Sequence, residues 1–109
     1  MPLPDDEWSK GKCGCKGLQY MALKIPSLLS PVGVNKDIIQ NGINGYLPNT
    51  HEDWIRDLSN LIESEQLRSE IGSKGYETVY EKYSIAAVRN RYVEAFGKAI
   101  EIKNSLKLR

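Results

Sequence analysis

The sequence predicts an α/β fold with a short parallel sheet and three C-terminal helices. Residues 25–30 form a short apolar run between two helix-like segments, which is typical of a buried parallel strand. A second strand-like run at 45–47 follows a short helical segment, and parallel strands need such a crossover. The residues after 49 show helical periodicity. Because two strands cannot complete a doubly wound sheet, we expect a partial, truncated domain.

The composition describes one small globular unit. Its 109 residues are 40% hydrophobic and 27% charged, with a formal net charge of +1. Basic and acidic residues alternate, so the basic stripe that nucleic-acid binding needs is missing. Apolar runs stay short of the roughly 20 residues of a membrane span, and residues 1–7 do not resemble a signal peptide. We expect a cytoplasmic protein in which Cys13 and Cys15 are reduced and bind no metal.

The first half of the chain carries loops and one predicted helix. Residues 1–15 are rich in Pro, Gly, Lys and acidic residues and predict a loop, where Leu3 alone hints at the end of a strand. Residues 15–24 predict a short helix. Its residues at helical spacing are Leu18, Ala22 and Met21.

The strand predicted at 25–30 begins near Pro26 and is broken by Pro31 and Gly33. Asn35 is a candidate cap for a short helix that carries Ile38 and Ile39. Two Asn-Gly pairs then signal turns before the short edge strand at 45–47. These pairs are Asn41-Gly42 and Asn44-Gly45.

Three helices are predicted in the second half. Asn49 or Thr50 is the cap of the first, Ser64 of the second and Ser84 of the third. The predicted inward residues are Trp54, Ile55, Leu58, Leu61 and Ile62 in the first helix, Leu67, Ile71, Val79 and Tyr83 in the second, and Ile85, Val88, Tyr92, Phe96 and Ile100 in the third. Gly72 and Gly75 weaken the second helix by about 1 kcal/mol each relative to Ala, unless a close neighbour needs the space.

The densest group of functional candidates lies in residues 7–19. Glycines let backbone amides approach a ligand. A helix that begins near Cys15 would direct unpaired N–H groups and a partial positive charge at the preceding loop, which favours an anion. Gln19, one turn inside this helix, is suited to a sugar hydroxyl. The lysines that add charge for a phosphate are Lys10, Lys12 and Lys16. The alternative is a solvated loop with scattered lysines.

Two other segments have functional and ordinary interpretations. Residues 33–37 follow a strand and precede a helix, where ligands of open α/β sheets bind, although an ordinary turn has the same pattern. The acidic run at 5–7 would suit a metal or a general acid, but a solvated charge run is the interpretation that we favour. The sequence contains no P-loop, no dinucleotide-binding glycine motif, and no nucleophile with a matching base.

Residues 14–29 run parallel to the motif Glu-Gly-Phe-Gly-Leu-Pro-x-x-Glu-Ala-Met-Ala-x-Gly-x-Pro-Val-Val. The direct matches are Gly14, Met21, Ala22 and Pro26, with Leu18 as an apolar equivalent. Residues 33–37 then match a glycine turn that is followed by an acidic residue. Residues 41–47 match the pattern Asp-Gly-x-Asn-Gly-x-Leu, and residues 81–84 match a stretch in the terminal helices. Taken in this order, the segments resemble the C-terminal, donor-binding domain of the retaining GT-B glycosyltransferases of family four (group 1). That domain has a Rossmann-like fold.

The resemblance implies roles for individual residues. The family's second glutamate contacts the nucleotide ribose, and Gln19 stands in its place, able to hydrogen-bond but not to ionise. The first glutamate contacts hydroxyls of the donor sugar. Gly11 occupies the position of this first glutamate. The nearest carboxylate is Glu7, four residues earlier, which implies that the loop is about four residues longer here than in the family. The groups that hold the diphosphate and sugar correspond to the amides around Gly14, Cys15, Lys16, Gly33 and Val34.

The implied reaction transfers a glycosyl group from a nucleoside-diphosphate sugar to an acceptor, with retained anomeric configuration and without a metal or other cofactor. The family's basic pair lies earlier in the domain, and the acceptor domain is the N-terminal half; both are missing from these 109 residues. We therefore expect no certain catalytic residue and no activity from the chain alone. By resemblance, the parent enzyme is bacterial, builds cell-surface polysaccharide and associates peripherally with the inner membrane.

Within this single partial domain, we expect a donor-binding segment at 1–48 and terminal helices at 49–109. Missing neighbouring strands would leave 25–30 with an unpaired edge or an uncovered face, so we expect self-association or an altered N-terminal segment. Two other classes stay open. One is a non-enzymatic helical module whose apolar edge binds a partner chain, and the other is a phosphate-binding regulator.

Overall fold

The computed structural model describes residues 1–12 and 14–107, with the backbone alone at Lys107. Seven helical elements are described, in the order α1 (Glu7–Lys10), α2 (Cys15–Ala22), α3 (Asn35–Ile38), α4 (His51–Glu63), α5 (Glu65–Thr78), a π-helical turn (Val79–Tyr83) and α6 (Ile85–Lys107). The three predicted C-terminal helices are thus present as α4, α5 and α6.

The predicted short parallel sheet is not confirmed, because strand pairing in the described residues is limited to two isolated parallel bridges. One bridge joins Leu28 to Tyr46, where Leu29 N–H donates to the Tyr46 carbonyl over 3.0 Å. Prolines explain the short pairing, since they lack the N–H that a ladder needs. All five prolines lie within or beside the strand-like segments: Pro2, Pro4, Pro26, Pro31 and Pro48.

The edge of residues 25–30 that was expected to be unpaired is occupied by the N-terminal segment. The Met1 amino group donates to the Leu28 carbonyl, and Ser30 N–H donates to the Met1 carbonyl over 3.2 Å. Leu3 N–H donates to the Ser30 hydroxyl over 2.7 Å. Met1–Leu3 therefore runs beside 28–30 as a third strand-like segment, in agreement with the hint at Leu3.

Two small cores lie on opposite sides of this pairing. Successive residues of an extended chain point to opposite faces. Accordingly, Leu29 packs with Met21, Ile38 and Ile39 beneath α2 and α3, whereas Leu28 packs on the other side. The partners of Leu28 are Leu61 and Ile71, with Tyr46, Trp54 and Leu67 half-buried around them. In α2, Gly17 and Met21 are buried and Ala22 is exposed, which corrects the predicted inner face.

The loop predicted at 1–15 contains the short helix α1. Asp6 caps it, accepting a hydrogen bond from Ser9 N–H over 2.7 Å, and this bond lowers the pKa of the Asp6 carboxyl. Asn35 was predicted to cap the short helix α3. The structure instead buries its side chain, which donates to the Ser30 carbonyl over 3.0 Å.

The caps predicted for α4, α5 and α6 are confirmed. Thr50 accepts from Asp53 N–H while the Asp53 carboxylate accepts from Thr50 N–H, each over 3.1 Å, so the two residues form a capping box. The Ser64 hydroxyl accepts from Leu67 N–H, and the Ser84 hydroxyl accepts from Ala87 N–H.

Much of the apolar surface predicted to face inward is exposed. Ile55, Leu58 and Ile62 of α4 face solvent, and Leu61 is the buried residue of the predicted stripe. The whole α6 stripe except the half-buried Val88 is exposed as well. Within the described residues, helical periodicity therefore identified the apolar faces of α4 and α6, of which the α4 face is covered only in part and the α6 face is largely uncovered.

Candidate functional site

The start of α2 is shaped by Gly14, which has φ 69° and no side chain to cap the helix. Its carbonyl accepts from Leu18 N–H over 3.1 Å, which closes the first helical turn. The first N–H groups of an α-helix have no acceptor inside the helix. The N–H groups of Cys15, Lys16 and Gly17 therefore point out of the helix start, where its partial positive charge is located.

Gly14 also brings together two segments that the sequence marked as candidates. A β-carbon on Gly14 would lie 2.7 Å from Ile38 Cδ1, 3.2 Å from Asn35 Oδ1 and 3.4 Å from Val34 Cγ2. The start of α2 therefore rests directly on α3 and on Val34, which precedes it. The close approach and the left-handed backbone both require glycine at this position.

A second glycine fixes the loop before α2. Gly33 has φ 56°, and a β-carbon there would lie 2.6 Å from the carbonyl oxygen of Lys10. The backbone at the end of α1 consequently lies against the turn that begins α3. Gly33 thus contacts the loop before α2, and Val34 contacts its last residue, Gly14.

A cavity of about 670 Å³ opens in front of α2. The residues that line it come from three segments: Met1, Pro2 and Leu3; Gly11 and Lys12; and Gly14, Cys15 and Lys16. The charged side chains of this lining, as far as the structure describes it, are the exposed Lys12 and Lys16. Burial lowers the pKa of the Met1 amino group, which donates a hydrogen bond to the Leu28 carbonyl. Cys13 lies outside the described residues.

The predicted site residues are thus only partly assembled. Gly14, Cys15 and Lys16 line the cavity, whereas Gly33 and Val34 contact Lys10 and Gly14 without lining it. Gln19 is exposed farther along α2. Glu7 is on α1, with its side chain 96% exposed and 3.6 Å from the Lys10 ammonium. It lines a separate hollow of about 290 Å³ with Trp8, Gly11 and Lys12.

Sequence reasoning missed one wall of the cavity. Met1–Leu3 was assigned to a loop, and the hint of a strand at Leu3 was the only signal of its position. In the structure this segment ends beside the start of α2 and supplies the apolar part of the lining. A ligand here would contact apolar and cationic groups together.

The end of α2 agrees with the match between residues 14–29 and the sequence motif. Ile25 N–H donates to the Tyr20 carbonyl and Lys24 N–H to the Met21 carbonyl, each over 3.0 Å, which is the pattern of a Schellman cap. Lys24 occupies its left-handed position with φ 59°. The motif that residues 14–29 resemble has glycine at this place, two residues before the proline. The backbone of Lys24 therefore has a conformation that glycine adopts easily, although the side chain differs.

Two negative findings apply to the described residues alone. They contain no group of three or more His, Cys, Asp and Glu side chains arranged to hold a metal ion. Within them, no helix combines the length and the apolar character needed to cross a membrane.

A helix start that meets strand-like ends at a glycine- and lysine-lined cavity is the arrangement with which α/β proteins bind anionic ligands. The overall structure is similar to the C-terminal domain of a glycosyl transferase group 1 family protein, LpcC, from Francisella tularensis. The TM-score is 0.61 with 26% sequence identity, and the alignment covers 78% of this chain. The resemblance to a C-terminal GT-B fragment, inferred from the sequence, is thereby confirmed.

The chain spans about half, 53%, of the solved domain that it matches. No protein-family model matches the sequence. No curated protein matches it either. The similarity to a group 1 glycosyl transferase therefore rests on the three-dimensional structure together with the motif at residues 14–29.

Proposed function

We propose that this chain is part of the donor-binding domain of a glycosyltransferase that uses a nucleoside-diphosphate sugar. The observation that carries the proposal is the cavity in front of α2, where backbone amides converge with Lys12 and Lys16. The similarity to a group 1 glycosyl transferase domain supports the same assignment. In open α/β proteins ligands bind outside the carboxyl ends of the strands, and Gly33 and Val34, which follow the strand-like run, lie against Lys10 and Gly14 beside this cavity.

The chemistry of the cavity suits a diphosphate. Its oxygens would accept hydrogen bonds from the N–H groups of Cys15 and Lys16, and the ammonium groups of Lys12 and Lys16 would balance its charge. Hydrogen bonds of this kind stabilise the charge that develops on a departing diphosphate during glycosyl transfer. This contribution requires no metal ion and no other cofactor.

Gln19 and Glu7 complete the proposed site, although both lie outside the cavity lining. Gln19, exposed on α2, would hydrogen-bond the ribose. Glu7 would reach the sugar only if α1 turned its exposed face toward the cavity, because its carboxylate now pairs with Lys10. The hollow shared by Glu7, Gly11 and Lys12 adjoins the cavity through Gly11 and Lys12, which line both.

The rest of the activity belongs to residues beyond this chain. We propose that an N-terminal domain of the parent enzyme binds the acceptor, and that further strands extend the parallel pairing beyond Met1–Leu3. The reaction would retain the anomeric configuration and serve cell-surface polysaccharide assembly in the cytoplasm of a bacterium, at the inner membrane. The chain alone would then bind part of the donor and transfer no sugar.

The test is nucleoside-diphosphate binding by the longer enzyme that contains these residues, measured by calorimetry. We expect Gln19→Ala to weaken binding at least tenfold, which corresponds to about 1.4 kcal/mol. Gln66→Ala is the matched control, because Gln66 lies on α5 and bonds Glu70. Equal affinities of wild type and Gln19→Ala would exclude the proposed contact, and no binding by the wild type would exclude the function.

A helical interaction module is the second candidate, favoured by the exposed apolar residues of α6. The two candidates differ in their ligands, since a module of this class would bind a partner chain and no nucleotide. Sugar transfer by the isolated 109 residues would contradict both.

A further inference from the structure

Trp8, on the short helix α1, is a large apolar side chain that the fold does not bury. Among the Phe, Trp and Tyr side chains that the structure describes, it is the most exposed, at 82%. The other tryptophan, Trp54, is half-buried in the core around Leu28. Trp8 belongs to neither of the two described cores. Packing therefore does not account for a tryptophan at this position.

The residues that follow Trp8 anchor α1 to the rest of the chain. Ser9 is buried, and its N–H donates to the Asp6 carboxylate over 2.7 Å. The carbonyl oxygen of Lys10 lies so close to Gly33 that a β-carbon there would approach it to 2.6 Å. The inner side of α1 is thus held in place, and Trp8 lies on its outer side.

Trp8 forms one wall of a hollow of about 290 Å³. The other residues that line this hollow are Glu7, Gly11 and Lys12. Because Gly11 has no side chain, the space between Trp8 and Lys12 stays open. Ligand pockets begin at roughly 300 Å³, so the hollow has room for one ring of a ligand. We name this space, formed by residues 7, 8, 11 and 12, the Trp8 hollow.

The lining of the Trp8 hollow combines three kinds of group that suit a sugar ring. An aromatic face provides a large, rigid contact for the C–H groups on the apolar face of a pyranose. A carboxylate accepts hydrogen bonds from sugar hydroxyls, and an ammonium donates hydrogen bonds to their oxygens. Trp8, Glu7 and Lys12 supply these three groups.

The Trp8 hollow adjoins the proposed diphosphate site. Gly11 and Lys12 line both the hollow and the cavity in front of α2. A diphosphate in the cavity and a sugar ring in the hollow would therefore be neighbours, with Lys12 between them.

A ring in the hollow would also meet Glu7 without a movement of α1. The carboxylate of Glu7 is 3.6 Å from the Lys10 ammonium, and its side chain is 96% exposed. Because exposed ion pairs contribute little stability, sugar hydroxyls can replace Lys10 as the partner of this carboxylate.

We propose that a pyranose ring stacks on Trp8, with its hydroxyls held by the Glu7 carboxylate. This inference rests on the proposed function, since it takes the chain to be part of a glycosyltransferase. The sugar of the donor and the terminal sugar of a saccharide acceptor present the same chemistry to Trp8, and the ligands used in the test distinguish these two sources.

Tryptophan fluorescence reports on this contact directly. The variant Trp54→Phe leaves Trp8 as the single tryptophan, and a ring that stacks on its exposed indole should quench and blue-shift the emission. If the ring belongs to the donor, we expect this response with UDP-glucose or GDP-mannose and a smaller one or none with UDP or GDP. If it belongs to the acceptor, we expect the response when methyl α-glucoside or methyl α-mannoside is added to the UDP-bound chain. The control is Trp8→Phe, in which the remaining Trp54 should not respond.

Calorimetry then measures what the contact contributes. For the sugar ligand that gives the response, Trp8→Ala should weaken binding by about fivefold, the usual size of one aromatic stacking contact. The affinity for UDP and GDP should stay the same, and Trp8→Phe should restore most of the loss. The matched control is Tyr92→Ala, because Tyr92 is an aromatic residue with 62% exposure that lines neither the cavity nor the Trp8 hollow.

A Trp8 signal that responds to none of the four sugar-bearing ligands would overturn the inference. A response to UDP or GDP as large as that to the sugar nucleotide would overturn it as well, because it would indicate a nucleobase on the indole ring. In both cases the amide signals of Cys15 and Lys16 separate the two proposals. If UDP or GDP shifts these signals, the proposed function stands and the contact with Trp8 alone fails; if neither does, both fail.

Discussion

A β-carbon on Gly72 would overlap the carbonyl oxygen of Lys24, so the backbone of α5 lies directly on the turn that ends α2. Lys24 in turn places its ammonium 5.0 Å from the centre of the Tyr76 ring, on the next turn of α5. Gly72, which was expected to weaken α5 unless a neighbour needs the space, is thus explained by this contact. This contact fixes the direction of α2 and, with it, the position of the cavity at the other end of that helix.

Gly72→Ala should destabilise the fold by about 1–3 kcal/mol, the usual cost of forcing a methyl group into a packed contact. The matched control is Gly97→Ala on α6, where a β-carbon would meet nothing within 4 Å. Helix propensity alone predicts that the control is stabilised by up to about 1 kcal/mol. Urea unfolding followed by circular dichroism measures both values. Equal effects of the two substitutions would show that α5 and Lys24 are not in close contact.

Gly14→Ala should lower stability and disturb the start of α2. The new methyl group would meet Ile38 at 2.7 Å, and alanine is disfavoured at φ 69°. We expect a loss of about 1–3 kcal/mol, since strain and overpacking act together. Amide chemical shifts should change most at residues 14–17 and 34–38. Changes that are confined to residues 14–17 would contradict the contact between α2 and α3.

Stability should fall in acid because of the capping box of α4. Hydrogen bonds from the backbone N–H groups of Thr50 and Asn49 lower the pKa of Asp53 below its ordinary value of 3.8. A carboxyl with a lowered folded pKa stabilises the fold above its unfolded pKa, and this stabilisation is lost as the pH falls through the folded pKa. Asp53→Asn should therefore flatten the decline of the unfolding free energy below about pH 4.

The lowered pKa of Asp6 acts in the same direction, so Asp53→Asn should reduce the acid sensitivity without abolishing it. Thr50→Ala, which removes the other half of the box, should cost about 1 kcal/mol at neutral pH. Unfolding curves at several pH values provide the measurement. Parallel declines for wild type and Asp53→Asn would argue against a stabilising role for this carboxylate.

The variants Lys24→Gly and Lys24→Val should differ in their free energy of unfolding. Glycine accepts the left-handed backbone of this position and loses the contact with Tyr76, so we expect a change within about 1 kcal/mol. Valine is β-branched and poorly suited to positive φ, so a loss of more than about 1 kcal/mol is expected. Thermal unfolding compares the two. A valine variant as stable as the glycine variant would show that this turn is not left-handed in solution.

The features that the sequence predicted best are local ones. The caps at Thr50, Ser64 and Ser84 depend on residues within one turn and were all found. The helix after Gly14 was likewise found, with its start at Cys15 as expected. The short helix α1 was missed because its cap, Asp6, belongs to an acidic run that also suits a solvated loop.

Features that depend on distant residues were predicted less well. Periodicity identified apolar stripes in α4 and α6, but burial requires another element to cover them, and Ile62 and Phe96 are exposed. The approach of Gly14 to Val34 depends on how α2 and α3 pack, which their separate patterns do not specify. The sheet was overestimated because the prolines beside each strand-like segment limit its hydrogen bonding.

The most direct test of the central claim is nuclear magnetic resonance of the 109-residue chain during titration with nucleoside diphosphates, including uridine and guanosine diphosphate. We predict saturable shifts of the amide signals of Cys15, Lys16 and Gly17, larger than those caused by the matching nucleosides, and their loss in the double variant Lys12→Ala with Lys16→Ala. Shifts that appear only elsewhere in the chain, or no shifts at all, would contradict the assignment of the start of α2 as a diphosphate site.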